Sequence, residues 1–249
     1  DEAEKCYLQA LEINPNNAET HNLIGLLKLQ QNKIEDAVNW IKKAISIKKN
    51  AYFYETLFQA LTFQEKFSEI IKYENDVAEF LDREFSLNFY LALAYKNLNK
   101  IEKAIYYYEK ATELNPNSYD CWFNLSHLYS IKGETFKALD TLKICQKLNP
   151  TDSETEYFLS LAYMRVKDYD NGLKCFEKRF CKEVAFLTQN KTFPNKATRE
   201  NLWKGEDIKD KSILVYYEAG FGDVIMFARY LPLLKERCKK IILHIQKPL

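Results

Sequence analysis

The chain has 249 residues but only six glycines and six prolines, against average usages of roughly 7% and 5%. This scarcity of turn-forming residues disfavours a β-rich sandwich, and a hydrophobic content of 47% disfavours a disordered chain. The formal net charge of +1 also disfavours nucleic-acid or acidic-membrane binding driven by bulk charge.

The apolar segments, the cysteines and the first residues of the sequence bear on where the protein is located and whether the chain is a fragment. No segment has the ~18 to 20 consecutive apolar residues of a membrane span, and the six cysteines form neither a CxxC pair nor a zinc-like cluster with histidine. We therefore expect a cytoplasmic protein with reduced thiols and no metal site. Because the chain lacks an initiator Met and Asp1 falls inside a helical pattern, we expect a fragment of a longer protein.

Small residues recur through the first three quarters of the chain at a nearly constant step. Successive members of this series are separated by 34, 67, 34 and 34 residues: Ala3, Ala37, Ala104, Ala138 and Gly172. A bulky residue follows four positions after each of them. The pattern predicts pairs of amphipathic helices of about 13 residues that cross closely at the small residues. One such pair cannot bury its apolar face alone, so neighbouring pairs stack into a solenoid.

The residues of one unit carry a family resemblance: Trp122, Leu125, Ser126, Tyr129, Ala138, Leu142, Cys145 and Pro150. This pattern resembles the tetratricopeptide repeat, which implies a mainly α protein with a right-handed α-α superhelix. Our boundaries are a half repeat at 1–17 and full repeats at 18–51, 52–84, 85–118, 119–152 and 153–186. The repeat at 52–84 departs most, because Ile70 or Ile71 replaces its small residue, and we expect a locally altered helix crossing there.

The resemblance also implies a protein-interaction scaffold whose first helices line a concave groove. On our register, the fifth position of three successive first helices is Phe89, Phe123 and Tyr157, and one turn later come Leu93, His127 and Leu161. Such a stripe suits an extended or helical peptide from a protein partner. The alternative is that these side chains pack against neighbouring helices or the C-terminal segment.

Two groove chemistries known for such repeats are only partly represented. A clamp for a carboxylate requires Lys, Arg and Asn on consecutive repeats; Lys96, Asn97 and Arg165 are candidates but do not complete the set. A ladder of asparagines requires Asn at one column throughout. Only Asn124 fits, since that column reads Leu23, Leu57, Tyr90, Asn124 and Phe158.

The last part of the chain has a different pattern. Residues 187–211 lose the helical period and are predicted to be a linker. A strand is predicted at Ser212–Glu218, a helix at Val224–Arg237 and a strand at Ile241–Gln246, which together form a short Rossmann-like βαβ fragment over 212–249. Gly220 and Gly222 between them permit a tight turn open to a ligand. The segment does not match the dinucleotide fingerprint GxGxxG, since Ile225 stands at the position of the third glycine. Considered alone, Asp223 is predicted to be a helix N-cap.

A wider segment resembles a second family. The stretches FEKRF at Phe176–Phe180 and EAGFGDVIMFARYLPLL at Glu218–Leu234, with Trp203 between them, are similar to the junction between tetratricopeptide repeats and a heptosyltransferase-like glycosyltransferase domain. The resemblance implies a nucleotide-sugar donor in the full-length protein and a role for Asp223 as base toward the acceptor hydroxyl. Since a second Rossmann half would hold most of the donor, we expect no cofactor and no complete active site in the fragment.

Two functions remain open. The first is an interaction scaffold that binds a peptide or protein in the groove. The second is a full-length enzyme that transfers a sugar to a protein or glycan acceptor recruited by the repeats. Because two strands and one helix bury little surface, we also expect the C-terminal segment either to dock on the last repeat helices or to pair with another chain through its edge strand.

Overall fold

A computed structural model describes residues 2–176, 203, 205–216 and 221–244, with backbone alone for 216 and 221–224. The chain divides into two compact units, Asp1–Cys175 and Phe176–Leu249. The first unit is helical throughout. Its helices are α1 (Glu2–Ile13), α2 (Ala18–Gln30), α3 (Ile34–Ile47), α4 (Ala51–Phe63), α5 (Phe67–Ile70), α6 (Phe85–Asn97), α7 (Ile101–Leu114), α8 (Tyr119–Lys132), α9 (Thr135–Leu148), α10 (Ser153–Arg165) and α11 (Tyr169–Phe176). The prediction of a mainly α solenoid is confirmed.

Four of the first helices begin at a polar cap, whereas α6 follows Glu84, whose side chain makes no capping hydrogen bond. The side chains of Asn17, Asn50, Ser118 and Asp152 each accept a hydrogen bond from a backbone N–H in the first turn of the helix that follows. These caps satisfy N–H groups that have no partner inside the helix. In these four pairs a capping side chain therefore marks where the first helix starts.

The turn within each pair has a second recurring feature. One residue in every turn has a positive φ: Asn32 (59°), Glu65 (54°), Asn99 (56°), Gly133 (80°) and Lys167 (65°). This left-handed conformation lets the chain reverse between two antiparallel helices, and it is strained for residues other than Gly and, to a smaller degree, Asn. Four of the five turns accept that strain.

Small residues lie where paired helices cross. A Cβ added to Gly25 on α2 would meet Ile41 Cγ1 at 2.5 Å and the carbonyl oxygen of Ala37 on α3 at 3.3 Å. In the next regular pair, Ala92 and Ala104 are fully buried. Close approach of the backbones explains the 34-residue series of small residues.

The second helix of the repeat at 52–84 is broken. It consists of the four-residue α5, a 3-10 turn at Ile71–Tyr73, further turns and a 3-10 turn at Ala78–Phe80. Ile70 is fully buried whereas Ile71 is only half-buried, so Ile70 occupies the place of the small residue. The sequence predicted an altered helix crossing in this repeat. The structure departs further from a regular repeat than that, because the second helix is also interrupted.

A carboxylate in this broken segment bonds to the next helix pair. Glu74 accepts hydrogen bonds from the hydroxyls of Tyr95 (2.6 Å) and Tyr107 (2.5 Å), and its carboxylate lies 3.1 Å from Lys103 Nζ. The two tyrosine rings stack with centroids 5.7 Å apart. One side chain thus connects the broken segment to both α6 and α7.

The second unit contains two strands and two helices among its described residues. These are β1 (Ile208–Tyr216), α12 (Phe221–Ala228), α13 (Leu231–Arg237) and β2 (Cys238–His244). The strands pair in parallel, with Ile213 opposite Ile241. The predicted βαβ order is therefore present with corrected bounds.

The bounds of all three predicted elements differ from the sequence prediction. β1 begins at Ile208, inside the predicted linker, and β2 begins at Cys238, three residues early. The predicted single helix at Val224–Arg237 is two helices, because Pro232 lies in the first turn of α13, a position that tolerates a residue without an N–H. Residues 187–202 of the predicted linker lie outside the described part of the chain.

The glycine loop is only partly described. Gly220 lies outside the described residues, and Gly222 is the second residue of α12 rather than part of a turn before it. Asp223 is the third residue of that helix, so its interpretation as an N-cap is wrong; its side chain is outside the described part. None of the described helices is both long and apolar enough to cross a membrane.

Candidate functional site

The first helices of three successive pairs present one set of half-buried positions. We call this surface the first-helix face and define it by the fifth, sixth and ninth residues of α6, α8 and α10. All nine side chains are half-buried: Phe89, Tyr90, Leu93, Phe123, Asn124, His127, Tyr157, Phe158 and Leu161. They belong neither to the fully buried core nor to the fully exposed surface.

Phe89 lies in the first of two aromatic groups on this face. Its ring stacks on Phe85 at 6.1 Å between centroids and meets Tyr90 edge-on at 5.6 Å. It also contacts the fully buried Tyr108 of α7 at 6.0 Å. Phe89 therefore packs partly against the core of its own pair, as the alternative interpretation of the stripe expected.

Phe158 is the centre of the second aromatic group. Its ring centroid lies 5.7 Å from Phe123, 4.4 Å from His127 and 5.6 Å from Tyr157, each with an edge-to-face geometry. Such pairs contribute about 0.5–1.5 kcal/mol beyond area burial. Phe158 is not among the groove residues predicted from the sequence. The signal was available, because Tyr90 and Phe158 share the column that was tested only for asparagine.

The predicted stripe is therefore two groups and not one continuous row. Within the described residues, no ring contact joins Phe89 to Phe123. Between the two groups lies a polar link: Lys96 Nζ donates to Asn124 Oδ1 at 2.7 Å. This bond connects the end of α6 to the first half of α8.

Two basic side chains, Lys96 beside the face and His127 on it, have lowered pKa values. Burial lowers the pKa of Lys96, and no carboxylate among the described residues pairs with it. Burial also lowers the pKa of His127, with a further contribution from the positive charge of Lys96. Since the ordinary value is 6.5, His127 is a neutral imidazole at pH 7.

The remaining candidates for a clamp are not gathered at one point. Arg165 donates to Ser130 Oγ at 2.6 Å, which links α10 to α8. Asn97 is exposed and donates to the carbonyl oxygen of Leu93 on its own helix at 2.9 Å. The structure thus places Lys96, Asn124 and Arg165 in bonds that bridge successive first helices, and it leaves Asn97 outside those bridges.

Two cavities open on the first-helix face. The first has a volume of about 150 Å³ and lies between α8, α9 and α10, where its lining includes His127, Leu142, Phe158, Leu161 and Arg165. The second, which we call the Tyr90 cavity, has a volume of about 260 Å³. Its lining comes from α4, α6, α8 and the turn before α8, and includes Glu55, Phe85, Phe89, Tyr90, Ser118 and Asp120.

Reactive chemistry is not evident in the repeats. Burial raises the pKa of Cys121 to about 11 and that of Cys145 to about 12, so both thiols are protonated at neutral pH and are poor nucleophiles. No group of three His, Cys, Asp or Glu side chains within the described ranges is arranged to hold a metal ion.

Sequence models of the tetratricopeptide repeat match four segments of the chain: residues 1–31, 18–50, 88–118 and 107–140. The chain carries tetratricopeptide repeats. The segment 18–50 holds α2 and α3, and the segment 88–118 holds most of α6 and all of α7. None of these four matches includes the broken repeat, and all lie within the first unit.

Two yeast proteins are similar to parts of this chain. The transcription factor tau 131 kDa subunit of Saccharomyces cerevisiae is 24% identical over 128 residues, which is 50% of this chain. The anaphase-promoting complex subunit CDC16 of the same organism is 28% identical over 92 residues, or 37% of this chain. The matched regions make up only 12% and 10% of those proteins.

Solved structures share the fold at low sequence identity. The crystal structure of YrrB, titled a TPR protein with an unusual peptide-binding site, superposes with a TM-score of 0.64 at 18% identity, covering 74% of this chain and 97% of YrrB. The MamA protein gives a TM-score of 0.60 at 18% identity, covering 71% and 96%. These likenesses establish the solenoid architecture.

Proposed function

We propose that this chain is a protein-interaction scaffold that binds a peptide segment of a partner on the first-helix face. The observation that carries the proposal is the set of nine half-buried side chains on α6, α8 and α10, with two cavities between them. An extended or helical peptide can place alternate side chains into such cavities.

The second aromatic group supplies the apolar part of this binding. Phe123, Tyr157 and Phe158 are half-buried and already held by edge-to-face contacts. Fully burying one such side chain contributes about 1.5–3 kcal/mol, and preordered rings lose little further entropy on binding. This group is therefore the expected energetic centre of the interface.

The polar groups near the 150 Å³ cavity supply orientation. Arg165 lines that cavity beside neutral His127, and Lys96 lies close enough to lower the pKa of His127. A partner with a hydrogen-bond acceptor at this end would pair with these donors, and such hydrogen bonds set the register more than the affinity.

Related proteins support the same conclusion. YrrB is titled as having a peptide-binding site, and CDC16 is named as a subunit of the anaphase-promoting complex. Stacked helix pairs share this use because their first helices form an extended surface that a partner can follow.

The proposal is tested with peptides selected from a displayed library on the 249-residue chain. The affinity of a selected peptide is then measured by calorimetry for the wild type and for Phe123→Ala. We expect a loss of affinity of about tenfold or more, as for a typical hot-spot residue. Circular dichroism verifies that the variant is folded.

The matched control is Phe136→Ala. Phe136 is 74% exposed on α9, so it offers an equally large ring away from the face. Its replacement is expected to leave the affinity unchanged. Equal affinities for wild type, Phe123→Ala and Phe136→Ala would contradict the proposal.

A second candidate function is sugar transfer by a longer protein that contains this chain. Its support is the parallel pairing of β1 with β2 and the placement of Asp223 in the first turn of the helix that follows β1. A carboxylate near the end of a parallel strand is chemically able to act as a base toward an acceptor hydroxyl. The substrate would be a nucleotide sugar, and the repeats would recruit the acceptor.

This second proposal has a direct test in the longer protein. Replacement Asp223→Asn is expected to reduce the rate of sugar transfer by at least about 100-fold, the usual contribution of a general base, while peptide binding by the repeats stays unchanged. Transfer at the wild-type rate would remove Asp223 from the role of base.

A further inference from the structure

The Tyr90 cavity has aromatic walls. Three rings from α6 line it, those of Phe85, Phe89 and Tyr90, and Phe85 and Phe89 are stacked on each other. A volume of about 260 Å³ exceeds what a single water fills. The cavity therefore has room for part of a side chain, and its π faces are attractive to a cation.

The charge of this cavity comes from two carboxylates. Glu55 of α4 and Asp120 of α8 both line the cavity together with the rings. The pKa of Tyr90 is raised by burial and by the negative charge of Glu55, which shows that this carboxylate acts on the wall of the cavity. Neither Glu55 nor Asp120 forms an ion pair with a described residue, whereas eight other acidic residues of the first unit do.

Helix ends modify this charge without reversing it. α6 and α8 begin at the cavity, and each N-terminus carries about +0.5 of a charge. α7 ends there at its C-cap Asn115, which contributes about −0.5. Together these amount to roughly +0.5 against two full negative charges, so the cavity remains negative.

We propose that the Tyr90 cavity receives a basic side chain, arginine or lysine, of the partner polypeptide. This inference rests on the proposed function of the first-helix face and names one residue class of its partner. The cation lies against the ring of Tyr90 and pairs with Glu55 and Asp120. Arginine is the better fit, since its planar guanidinium stacks on aromatic rings while it binds carboxylates.

The experiment uses N-acetyl-arginine-methylamide as the probe. It is titrated into the isotopically labelled 249-residue chain, and resonances of Tyr90 and Phe89 are followed by NMR up to about 50 mM, above the millimolar Kd expected for one side chain. The capped citrulline analogue, which has the same shape and no charge, is the matched probe. We expect arginine to bind at least about fivefold more tightly than citrulline.

Two variants connect the effect to the carboxylates. Glu55→Gln and Asp120→Asn should each weaken arginine binding by about three- to tenfold. The control Glu113→Gln, at an exposed position on α7, should have no effect. Melting curves verify that all three variants are folded.

The outcomes separate this inference from the proposed function. Citrulline binding as tightly as arginine, shifts that do not map to the Tyr90 cavity, or no shift at 50 mM would overturn the basic-side-chain proposal. Selected peptides that depend on Phe123 but contain no basic residue would also overturn it, and the proposed function would then stand. If no selected peptide bound the first-helix face, the basic-side-chain proposal and the proposed function would both fail.

Discussion

The broken repeat at 52–84 and the regular repeat at 85–118 are nearly equal in length and differ in their second half. Both begin with a 13-residue helix, α4 or α6, and both turn through a residue with positive φ, Glu65 or Asn99. The regular repeat continues with the 14-residue α7, whereas the broken repeat has only four helical residues in α5 before its 3-10 turns. A repeat can thus keep its place in the stack without a continuous second helix.

Two side chains explain how the broken repeat remains in the stack. Ile70 is fully buried in the same apolar core as α4 and α6. Glu74 bonds to Tyr95 and Tyr107 of the next pair. Packing between pairs therefore depends on a few long-range contacts rather than on helix continuity, which agrees with the nearest-neighbour nature of repeat stability.

The largest expected effect comes from exchanging residues at the helix crossing. Ile70→Ala should lower the free energy of unfolding by about 2–5 kcal/mol, because it leaves a cavity in the broken repeat. At the equivalent position 34 residues later, Ala104→Ile should cost about 1–3 kcal/mol through overpacking. Urea denaturation measures both changes.

An exposed apolar position provides the control for Ile70→Ala and Ala104→Ile. Ile13→Ala, at a position that is 88% exposed, should change stability by less than about 0.5 kcal/mol. A stabilising Ala104→Ile would show that the regular crossing is as open as the broken one, and the structural contrast between the two repeats would fail.

Glu74→Gln should have an intermediate effect of about 1–2 kcal/mol at pH 7. Burial acts to raise the pKa of Glu74, but hydrogen bonds from Tyr107 and Tyr95 and the nearby Lys103 outweigh it, so the pKa lies below its ordinary value of 4.5. A carboxyl with a depressed pKa stabilises the fold above about pH 4.5 and loses that contribution as pH falls through its folded value.

The difference in stability between wild type and Glu74→Gln should accordingly narrow as the pH decreases below 4.5. Denaturation at several pH values measures it. Glu79→Gln, at an exposed position in the same broken segment, serves as the control and should follow the wild type. A pH-independent difference would mean that the charge of Glu74 does not hold the segment to α6 and α7.

The smallest expected effects lie at the turns. Gly133→Ala should lower the free energy of unfolding by about 1 kcal/mol, because φ at this position is +80°. No neighbouring atom lies within 4 Å of the added Cβ, so the effect comes from the backbone conformation alone. Glu65→Gly in the broken repeat should instead be stabilising by up to about 1 kcal/mol, less the entropy lost by glycine. Thermal melts of both variants test this; a destabilising Glu65→Gly would show that the Glu65 side chain contributes more than its backbone strain costs.

Much of the fold could be predicted because equivalent positions recur in several repeats, so each structural feature is indicated more than once in the sequence. The small-residue series predicted the helix crossings at Ala37, whose carbonyl oxygen faces Gly25, and at the buried Ala104, and the altered repeat was located by its missing small residue. The break itself could not be predicted, since it depends on how Ile70 packs and on bonds from Glu74 to residues 21 and 33 positions away.

The candidate site was harder to predict than the fold. Helical spacing placed Phe89 and Phe123 in one column, but it could not show that Phe89 contacts Tyr108 of the core. Phe158 could have been found from its column, which also holds Tyr90, whereas Glu55 could not, because its place in the Tyr90 cavity depends on contacts between different repeats. In the second unit, the helical period predicted one continuous helix, whereas Pro232 in the first turn of α13 indicates that a new helix starts there.

The most direct test of the account is amide hydrogen exchange of the chain with and without a selected peptide. If the first-helix face binds the partner, exchange slows in α6, α8 and α10 and stays unchanged in α7 and α9. Slowing confined to α7 and α9 or to the second unit would contradict the assignment of the binding surface.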